Sequence, residues 1–510
     1  MRIWIGLLLA CLFSAAAWGD AADISAASRS VVRVAVFSSM EGQRSYVGHG
    51  SGVVVAPDKI VTNAHVAESA NYDPSATFRV VPSEGGQSYE AKLIATLPGK
   101  DLALLQLVGA KLTPAALFSG PVGDGADVFA IGYPANVDVA LESNEADILR
   151  PQTPVKTRGT VSAGRSSKSI DSILHTAPIA PGNSGGPLVD ACGRVLGINS
   201  FGSVADGGGS EFYFAVSIRE LADFLRAQNV TYSTVTAECR SAAEMSRAEA
   251  EREAAARAKI EADNRIAAEK RAGSEGKARR EAEYSIISAR ENHMFFATVL
   301  LIAALGAAGA AWQFQERADR DKFKLATGGA AAMLVAAMIV FAVRPSFNQV
   351  DDRMQAALDG GAAKAMDAKD APKLARSGKK TCVIQPDRSR ITVSETPDVP
   401  FSWAENGCVN GRTQYAESAG NWSRTFVLGD SAQVSVASFS PERNEYRIER
   451  FLPGMDAMTK ARAARARYEV QGCKPDQATR EKIENMNKAV REVMPSTPNE
   501  TLIYACQDIK

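Results

Sequence analysis

Pro181-Gly182-Asn183-Ser184-Gly185-Gly186-Pro187 is the stretch of sequence that decides how this chain folds. The glycines on both sides of Ser184 allow a tight turn that exposes a hydroxyl and brings backbone N–H groups together. A serine hydroxyl is a weak nucleophile until an imidazole accepts its proton and a carboxylate orients that imidazole. A nucleophilic role for Ser184 therefore requires a histidine and an acid elsewhere in the chain.

Two segments upstream of this loop provide those groups. Thr62-Asn63-Ala64-His65-Val66 contains one of four histidines, and Asp101-Leu102-Ala103-Leu104-Leu105 places an acid at the start of an apolar run. The order histidine, aspartate, serine, with the residues around each, resembles the trypsin-fold serine proteases and most closely their HtrA-like branch. The resemblance covers about residues 25–230, which is under half of the chain.

The resemblance implies a fold and a catalytic site. The fold is an all-β pair of six-stranded antiparallel barrels. His65 corresponds to the general base, Asp101 to the residue that orients it, and Ser184 to the nucleophile. The residues implied for the oxyanion hole are Gly182, Asn183 and Ser184. No histidine and cysteine cluster has the spacing of zinc ligands, so we expect neither a metal nor a cofactor.

Substrate-binding residues also follow from the resemblance. They are Pro178, Ala180, Ser200, Phe201, Gly202 and Phe212. Ser200 is expected to contact the catalytic aspartate as well. Pro178 stands at the base of the primary pocket, where it cannot pair with a basic side chain, and Phe212 shortens that pocket. We therefore expect cleavage after small or medium apolar residues such as alanine or valine.

Chain length and net charge indicate the number of domains and the class of partner. A chain of 510 residues is too long for a single hydrophobic core, so several domains are expected. The 58 basic and 58 acidic residues give a formal net charge of zero. Nothing in this balance favours nucleic acid as a partner.

The N-terminus is typical of an export signal. The basic start Met1-Arg2 is followed by an apolar run and by the small residues of Ala17-Trp18-Gly19. We expect a signal peptide over residues 1–21, with an uncleaved membrane anchor as the alternative. Both outcomes place the protease domain outside the cytoplasm.

A charged segment over residues 237–293 follows the protease domain. It consists largely of alanine, glutamate, arginine and lysine, which are strong helix formers. Its few large apolar residues keep no heptad over several turns, so a solitary helical stalk is favoured over a coiled coil. Gly273 and Gly276 are expected to loosen this helix.

Two uncharged apolar segments come next, at residues 294–314 and 325–343. Each is close to the ~20 residues that cross a bilayer as a helix, and we expect a transmembrane hairpin. A buried hairpin in a soluble domain is the alternative. The connecting loop, residues 315–324, is basic and fits the cytoplasmic side. This topology places the protease and C-terminal domains on the periplasmic side of the inner membrane.

The C-terminal part divides into a linker, residues 351–380, and an α+β domain, residues 381–510, whose role the sequence does not reveal. The α+β domain lacks the carboxylate-binding loop of the PDZ modules that usually follow HtrA-like protease domains. Alternation of β-branched and aromatic residues predicts its strands. The expected strands are at 390–393, 432–436 and 445–448, and the expected helices are at 456–468 and 477–493.

Six cysteines follow the signal sequence. An even set in an exported region indicates disulfides, with free buried thiols as the alternative. We expect Cys192 to pair with Cys239 and two bridges to form in the C-terminal domain. Its four cysteines are Cys382, Cys408, Cys473 and Cys506, and sequence does not choose among their three pairings.

These features together predict a membrane-anchored serine endopeptidase that hydrolyses peptide bonds of exported proteins through an acyl-enzyme. Its expected partners are polypeptide substrates and the membrane, and its oligomeric state stays open. The alternative is a catalytically silent envelope sensor or scaffold whose barrel binds peptides. The long segment 135–156 is a candidate switch loop for an enzyme that becomes active on ligand binding.

Overall fold

The structure is a computed structural model. It describes residues 21–40, 43–68, 73, 75–166, 170–203, 211–317, 319–365, 377–418, 420–429 and 431–509. Except for Ala21, the predicted signal peptide lies outside these residues.

The first barrel follows a short helix, α1, Ala21–Ser28, and closes from six strands in the order β1-β2-β3-β6-β5-β4. Valine, isoleucine and leucine point inward from every strand, and this packing closes the barrel. The helix α2, Ala64–Ala67, follows β3 directly. The strands are β1 Val31–Met40, β2 Gln43–Ala56, β3 Lys59–Thr62, β4 Thr77–Pro82, β5 Tyr89–Leu97 and β6 Leu102–Leu107.

The second barrel is a ring of six antiparallel strands, closed by the pairing of β11 with β12. Two short parallel strands, β7 and β14, extend the sheet beside β12. The prediction of two trypsin-like barrels is confirmed. The strands are β7 Leu117–Phe118, β8 Asp127–Gly132, β9 Val155–Ser166, β10 Asp171–His175, β11 Pro187–Asp190, β12 Val195–Gly202, β13 Tyr213–Ser217 and β14 Thr234–Val235; two short helices, α3 Ala135–Ala140 and α4 Glu145–Ile148, lie between β8 and β9.

A helix closes the domain formed by the two barrels. Ser217-Ile218-Arg219-Glu220 predicts a capping box, and α5, Ile218–Ala227, begins there with Ser217 as its N-cap. The Glu220 side chain does not return to the cap. It accepts hydrogen bonds from Lys100 Nζ at 2.5 Å and from the Asp171 amide at 3.0 Å, so it joins both barrels instead.

Two long helices follow. The expected stalk and first apolar segment form one continuous helix, α6, Ala242–Glu316, of 75 residues. The helix runs through Gly273 and Gly276, because an isolated glycine costs only about 1 kcal/mol in a helix. The second apolar segment lies in α7, Arg320–Ala342, and α8, Val350–Ala365, comes after it. Both α6 and α7 are long and apolar enough to cross a membrane by length and composition.

The C-terminal region is a nine-stranded antiparallel sheet with two helices, α9 Met455–Ala466 and α10 Gln477–Arg491. The predicted strand at 390–393 is wrong, because this segment wraps around a buried carboxylate. Oε1 of Glu500 accepts three consecutive amide hydrogen bonds, from residues 392–394. The strands are β15 Gly378–Ile384, β16 Val399–Trp403, β17 Cys408–Val409, β18 Thr413–Gln414, β19 Ala416–Ser418, β20 Asn421–Val427, β21 Val434–Ser440, β22 Glu445–Phe451 and β23 Glu500–Asp508.

Three disulfides cross-link these elements. Cys192 pairs with Cys239, as predicted, at the exit from the two-barrel domain. The two bridges in the C-terminal region join Cys382 to Cys506 and Cys408 to Cys473. The first of these two ties neighbouring strands β15 and β23 together.

The two-barrel domain and the C-terminal region share a buried polar contact. Asp23 of α1 forms an ion pair with Arg390, and the two residues are 2% and 3% exposed. Asp23 also accepts a hydrogen bond from Asn499 Nδ2 at 2.7 Å. Arg390 donates a further bond to the carbonyl of Arg240 at 2.8 Å. The two domains are therefore held together by groups that water does not reach.

Loss of this ion pair should destabilise the protein strongly. We expect Arg390→Met to lower the free energy of unfolding by about 3–5 kcal/mol, because this is the usual cost of removing one partner of a buried ion pair. The partly exposed pair of Arg447 and Glu449, 2.9 Å apart, provides the control, and Arg447→Met should cost less than about 1 kcal/mol. Thermal unfolding of the full chain in detergent measures both. Equal losses in the two variants would contradict a buried interdomain ion pair.

Candidate active site

His65 and Asp101 form a hydrogen-bonded pair at the edge of the first barrel. His65 is in the short helix α2, and its Nδ1 lies 3.0 Å from both carboxylate oxygens of Asp101. The His65 amide also donates to Asp101 Oδ1 at 3.2 Å. The carboxylate therefore selects the tautomer with a proton on Nδ1 and leaves Nε2 free to accept a proton.

The Asp101 carboxylate is held in place from several sides. Its backbone has a φ of 51°, in the left-handed region, after a short 3₁₀ turn. Asn63 Nδ2 donates to the Asp101 carbonyl at 2.8 Å, and the Ser200 hydroxyl donates to Asp101 Oδ2. Burial alone would raise the pKa of Asp101, but the hydrogen bonds from His65 and Ser200 outweigh it and hold the pKa below its ordinary value. The group is thus a carboxylate at neutral pH.

Ser184 lies in the same cavity as His65. The cavity has a volume of about 320 Å³, and Val36, Val47 and Val66 provide its apolar lining. The Ser184 hydroxyl donates to the Ser200 carbonyl at 3.1 Å. Among the described residues it makes no hydrogen bond to His65 Nε2, which differs from the predicted geometry. A serine hydroxyl rotates to suit the acceptors around it, and a rotation about χ1 changes its partner.

The loop before Ser184 has a distinctive pattern of backbone hydrogen bonds. The carbonyls of Pro181 and Asn183 accept from the amides of Ala135 and Gly186 at 2.8 and 3.0 Å. The carbonyls of Gly182 and Ser184 are also occupied, at 2.7 and 2.8 Å. Within the described part of the chain, the amides of Gly182 and Ser184 have no acceptor. These two N–H groups are therefore available to a developing oxyanion.

Asn183 does not contribute a third oxyanion donor. Its amide donates to the Ala180 carbonyl at 2.9 Å and is thus occupied. Its side chain is buried against Gly132, where a Cβ would approach Asn183 Oδ1 to 2.7 Å. The prediction that Asn183 belongs to the oxyanion hole is corrected accordingly, because the tight turn needs this amide for itself.

The predicted substrate-binding residues differ in their exposure and in their contacts with the catalytic residues. Ser200 contacts both Asp101 and Ser184, as described above. Phe201 is 51% exposed and stacks on Phe214 with ring centroids 4.7 Å apart, and Gly202 follows it at the exposed end of β12. Pro178 is exposed, and its carbonyl accepts from Thr157 Oγ1 at 2.6 Å.

Phe212 is half-buried and paired through its backbone with Ser203. The Ser203 amide donates to the Phe212 carbonyl at 2.8 Å. The Phe212 amide in turn donates to Ser203 Oγ at 3.0 Å. The Phe212 backbone, directly before β13, is therefore held in place by Ser203.

A buried polar cluster behind the loop was missed by the sequence analysis. His49 Nε2 donates to the Tyr133 carbonyl at 2.9 Å, and its Nδ1 lies 2.6 Å from the Tyr46 hydroxyl. Asp138 lies 3.4 Å from His49 Nε2 and pairs with Arg33 at 2.8 Å. Burial is the main cause of a lowered pKa at His49. No local motif marks Arg33 or Asp138, because they are 105 residues apart.

His175 should make the two-barrel domain sensitive to acid. It is fully buried in β10, and burial lowers its pKa to about 4 from an ordinary 6.5. The unfolded chain binds a proton near pH 6.5 and the folded one does not, so stability is complete above pH 6.5 and falls as the pH drops towards 4. We expect a loss of about 2 kcal/mol between pH 7.5 and pH 5 from this residue.

Thermal unfolding of the full chain at both pH values measures this effect. The wild type should lose more stability on acidification than His175→Gln, which has no titrating group at this position. His293→Gln, a change in the long helix α6, serves as the control and should behave as the wild type. An identical pH dependence in wild type and His175→Gln would contradict the prediction.

Part of the chain is similar in sequence to known serine proteases. Residues 50–198 match a family model described as a trypsin-like peptidase domain. Serine protease Rv3671c of Mycobacterium tuberculosis is 30% identical over 225 residues, which are 42% of this chain and 50% of that protein. Serine protease Do-like HtrA of Bacillus subtilis is 33% identical over 169 residues, 32% of this chain and 35% of that protein. The crystal structure of the active form of the Rv3671c protease aligns with a TM-score of 0.33 and 24% identity, over 43% of this chain and 89% of that one.

The chain spans half or less of the length of these curated relatives. The predicted resemblance to trypsin-fold, HtrA-like serine proteases is confirmed for the peptidase domain.

Proposed function

We propose that this trypsin-like peptidase domain belongs to an active, membrane-anchored serine endopeptidase whose triad is His65, Asp101 and Ser184. The observation that carries the proposal is the His65–Asp101 pair, with 3.0 Å contacts at Nδ1, in one cavity with Ser184. This pairing leaves the Nε2 atom of His65 as the proton acceptor on the side of the cavity.

The proposed reaction forms and breaks an acyl-enzyme. Ser184 Oγ rotates from the Ser200 carbonyl to His65 Nε2, transfers its proton there and attacks the carbonyl carbon of the scissile peptide bond. The amides of Gly182 and Ser184 stabilise the oxyanion. The imidazolium, stabilised by Asp101, protonates the leaving amine. A water molecule then hydrolyses the ester by the same steps, with His65 again as the base.

The proposed substrates are exported polypeptides cleaved after small or medium apolar residues. Pro178 offers no charge to a basic side chain, and Phe212 is large where a deep pocket would require a small residue. A peptide library tests this preference. We expect alanine and valine to dominate before the scissile bond. A profile dominated by arginine or lysine would contradict the roles of Pro178 and Phe212.

We further propose that residues 294–314 and 325–343 cross a membrane, joined by a cytoplasmic loop at 315–324. Two crossings return the chain to its starting side. The buried pair of Asp23 and Arg390 supports this topology, because the peptidase and C-terminal domains must then share one compartment. Protease digestion of sealed spheroplasts tests it, and both domains should be accessible from outside.

A fluorophosphonate probe tests the proposed activity directly. The full-length protein in membranes should become labelled, and the label should be lost in Ser184→Ala. The native fold of both proteins is checked by their thermal unfolding. A folded wild-type protein that is not labelled would overturn the proposal and favour a catalytically silent peptide-binding sensor.

A further inference from the structure

Ser51 lies directly behind the loop that carries Ser184. It belongs to β2, is 0% exposed, and stands between two glycines that the packing requires. A Cβ on Gly50 would lie 2.6 Å from Val66 and 3.0 Å from the Ser184 carbonyl. A Cβ on Gly52 would lie 2.8 Å from Ile60. This strand therefore reaches the loop at a distance that only small residues permit.

Ser51 binds the loop through both its main chain and its side chain. Its amide donates to the Ser184 carbonyl at 2.8 Å. Its hydroxyl donates to the Gly182 carbonyl at 2.7 Å and accepts from the Tyr133 amide at 2.9 Å. Two of the four carbonyls over residues 181–184 are thus held by this one residue.

The hydroxyl contact fixes one peptide unit of the loop. The unit between Gly182 and Asn183 is bound at its carbonyl by Ser51 and at its N–H by the Ala180 carbonyl. On either side of this unit are the amides of Gly182 and Ser184, which have no acceptor among the described residues. Gly182 has a φ of 96°, so its backbone can adopt other conformations at little cost once the carbonyl is released.

Removal of the Ser51 hydroxyl would leave buried backbone groups without hydrogen-bond partners. Gly182 and Tyr133 are both buried, so removal of the Ser51 Oγ would leave one carbonyl and one N–H without a partner. Rotation of the Gly182–Asn183 peptide is the simplest relief. That rotation would also turn the neighbouring amides away from the oxyanion.

We propose that Ser51 is a positioning residue of the oxyanion hole, which acts through the Gly182 carbonyl and does not contact the substrate. This inference rests on the proposed endopeptidase function and deepens it. The proposal assigns the positioning role to the hydroxyl of Ser51. The backbone N–H of Ser51 also binds the loop, but any residue at this position would provide that contact.

The test compares Ser51→Ala with Ser51→Cys in the full chain, using a fluorogenic peptide substrate and a peptide aldehyde. Alanine removes the hydrogen bond, and cysteine keeps the volume with a weak donor. We expect kcat to fall by about 10- to 100-fold in Ser51→Ala, less than the ~10²–10³-fold for outright deletion of an oxyanion donor. KM should stay within about threefold, since the ground-state contacts are unchanged.

The aldehyde separates a positioning role from a structural one. Its hemiacetal oxygen occupies the oxyanion site, so its inhibition constant should rise by the same factor as kcat/KM falls. Ser28→Ala is the matched control, because Ser28 is also buried and donates to a main-chain carbonyl, that of Ile24, at 2.7 Å. It should change neither kcat nor aldehyde affinity.

Each outcome decides the matter. Wild-type kcat and aldehyde affinity in folded Ser51→Ala would overturn the positioning role, as would a failure of both Ser51 variants to fold. If Ser51→Ala alone fails to fold, a lower kcat and weaker aldehyde binding in Ser51→Cys support the role. A folded wild-type chain without turnover or fluorophosphonate labelling would overturn the proposed function itself.

Discussion

Replacement of Ser184 by alanine should lower kcat/KM for a peptide substrate by about 10⁴- to 10⁶-fold, which is about 5–8 kcal/mol of transition-state stabilisation. The variant has no oxygen to form the acyl-enzyme, and water would have to attack the substrate directly. The amides of Gly182 and Ser184 remain, so a small rate above the uncatalysed one should persist. The measurement uses the purified full chain in detergent with a fluorogenic peptide that has alanine before the scissile bond.

The control for this variant is a buried serine, Ser28, that the mechanism does not use. Ser28→Ala removes a buried hydroxyl from α1 and should leave kcat/KM within about twofold of the wild type. Thermal unfolding establishes that both variants are folded. A Ser184→Ala protein that keeps a tenth or more of the wild-type rate would exclude Ser184 as the nucleophile.

Local patterns were sufficient to predict the elements that carry the chemistry. The glycines around Ser184 predicted a tight turn, and Gly182 and Gly185 have φ values of 96° and 88°. The spacing of apolar residues in α5 likewise predicts one buried face, and Leu221 and Phe224 are buried there. Such features depend on residues a few positions apart, so one segment contains the information needed.

Contacts between residues far apart in the sequence could not be predicted from local patterns. Glu500 binds the amides of residues 392–394, and this long-range contact overrides the β pattern of that segment. The hydroxyl of Ser51 reaches Gly182, which is 131 residues away. The Asp23–Arg390 pair joins residues 367 positions apart. A pattern in one segment does not specify the partner that folding brings to it. Of these three contacts, the one from Ser51 lies against the loop of the proposed site.

The rotamer of Ser184 also depends on contacts with residues that are distant in the sequence. Its hydroxyl donates to the Ser200 carbonyl, and the Ser200 hydroxyl donates to Asp101. Ser200 therefore contacts the predicted nucleophile and the predicted acid. A motif that identifies both residues does not state which acceptor the hydroxyl chooses when no substrate fills the cavity. Substrate binding is expected to favour the rotamer that faces His65.

Asp101→Asn should reduce kcat by about 10⁴-fold while the fold stays intact. The Asp101 carboxylate accepts from the His65 amide at Oδ1 and from the Ser200 hydroxyl at Oδ2. An asparagine must place its NH₂ group at one of these positions. The His65 amide can only donate, whereas the Ser200 hydroxyl can reverse its role and accept, so the NH₂ group should lie on the Ser200 side.

His65 Nδ1 lies 3.0 Å from both carboxylate oxygens in the wild type, so in the variant it faces the NH₂ group as well as the remaining oxygen. The NH₂ group would repel a proton on Nδ1. It would donate to Nδ1 and favour the tautomer with a proton on Nε2, which cannot accept the proton of Ser184. Asp58→Asn is the control, because Asp58 pairs with Lys59 at the surface and should leave kcat unchanged. The measured quantity is kcat at saturating peptide. A loss of less than about tenfold in Asp101→Asn would show that a different acid orients His65, or that the imidazole needs none.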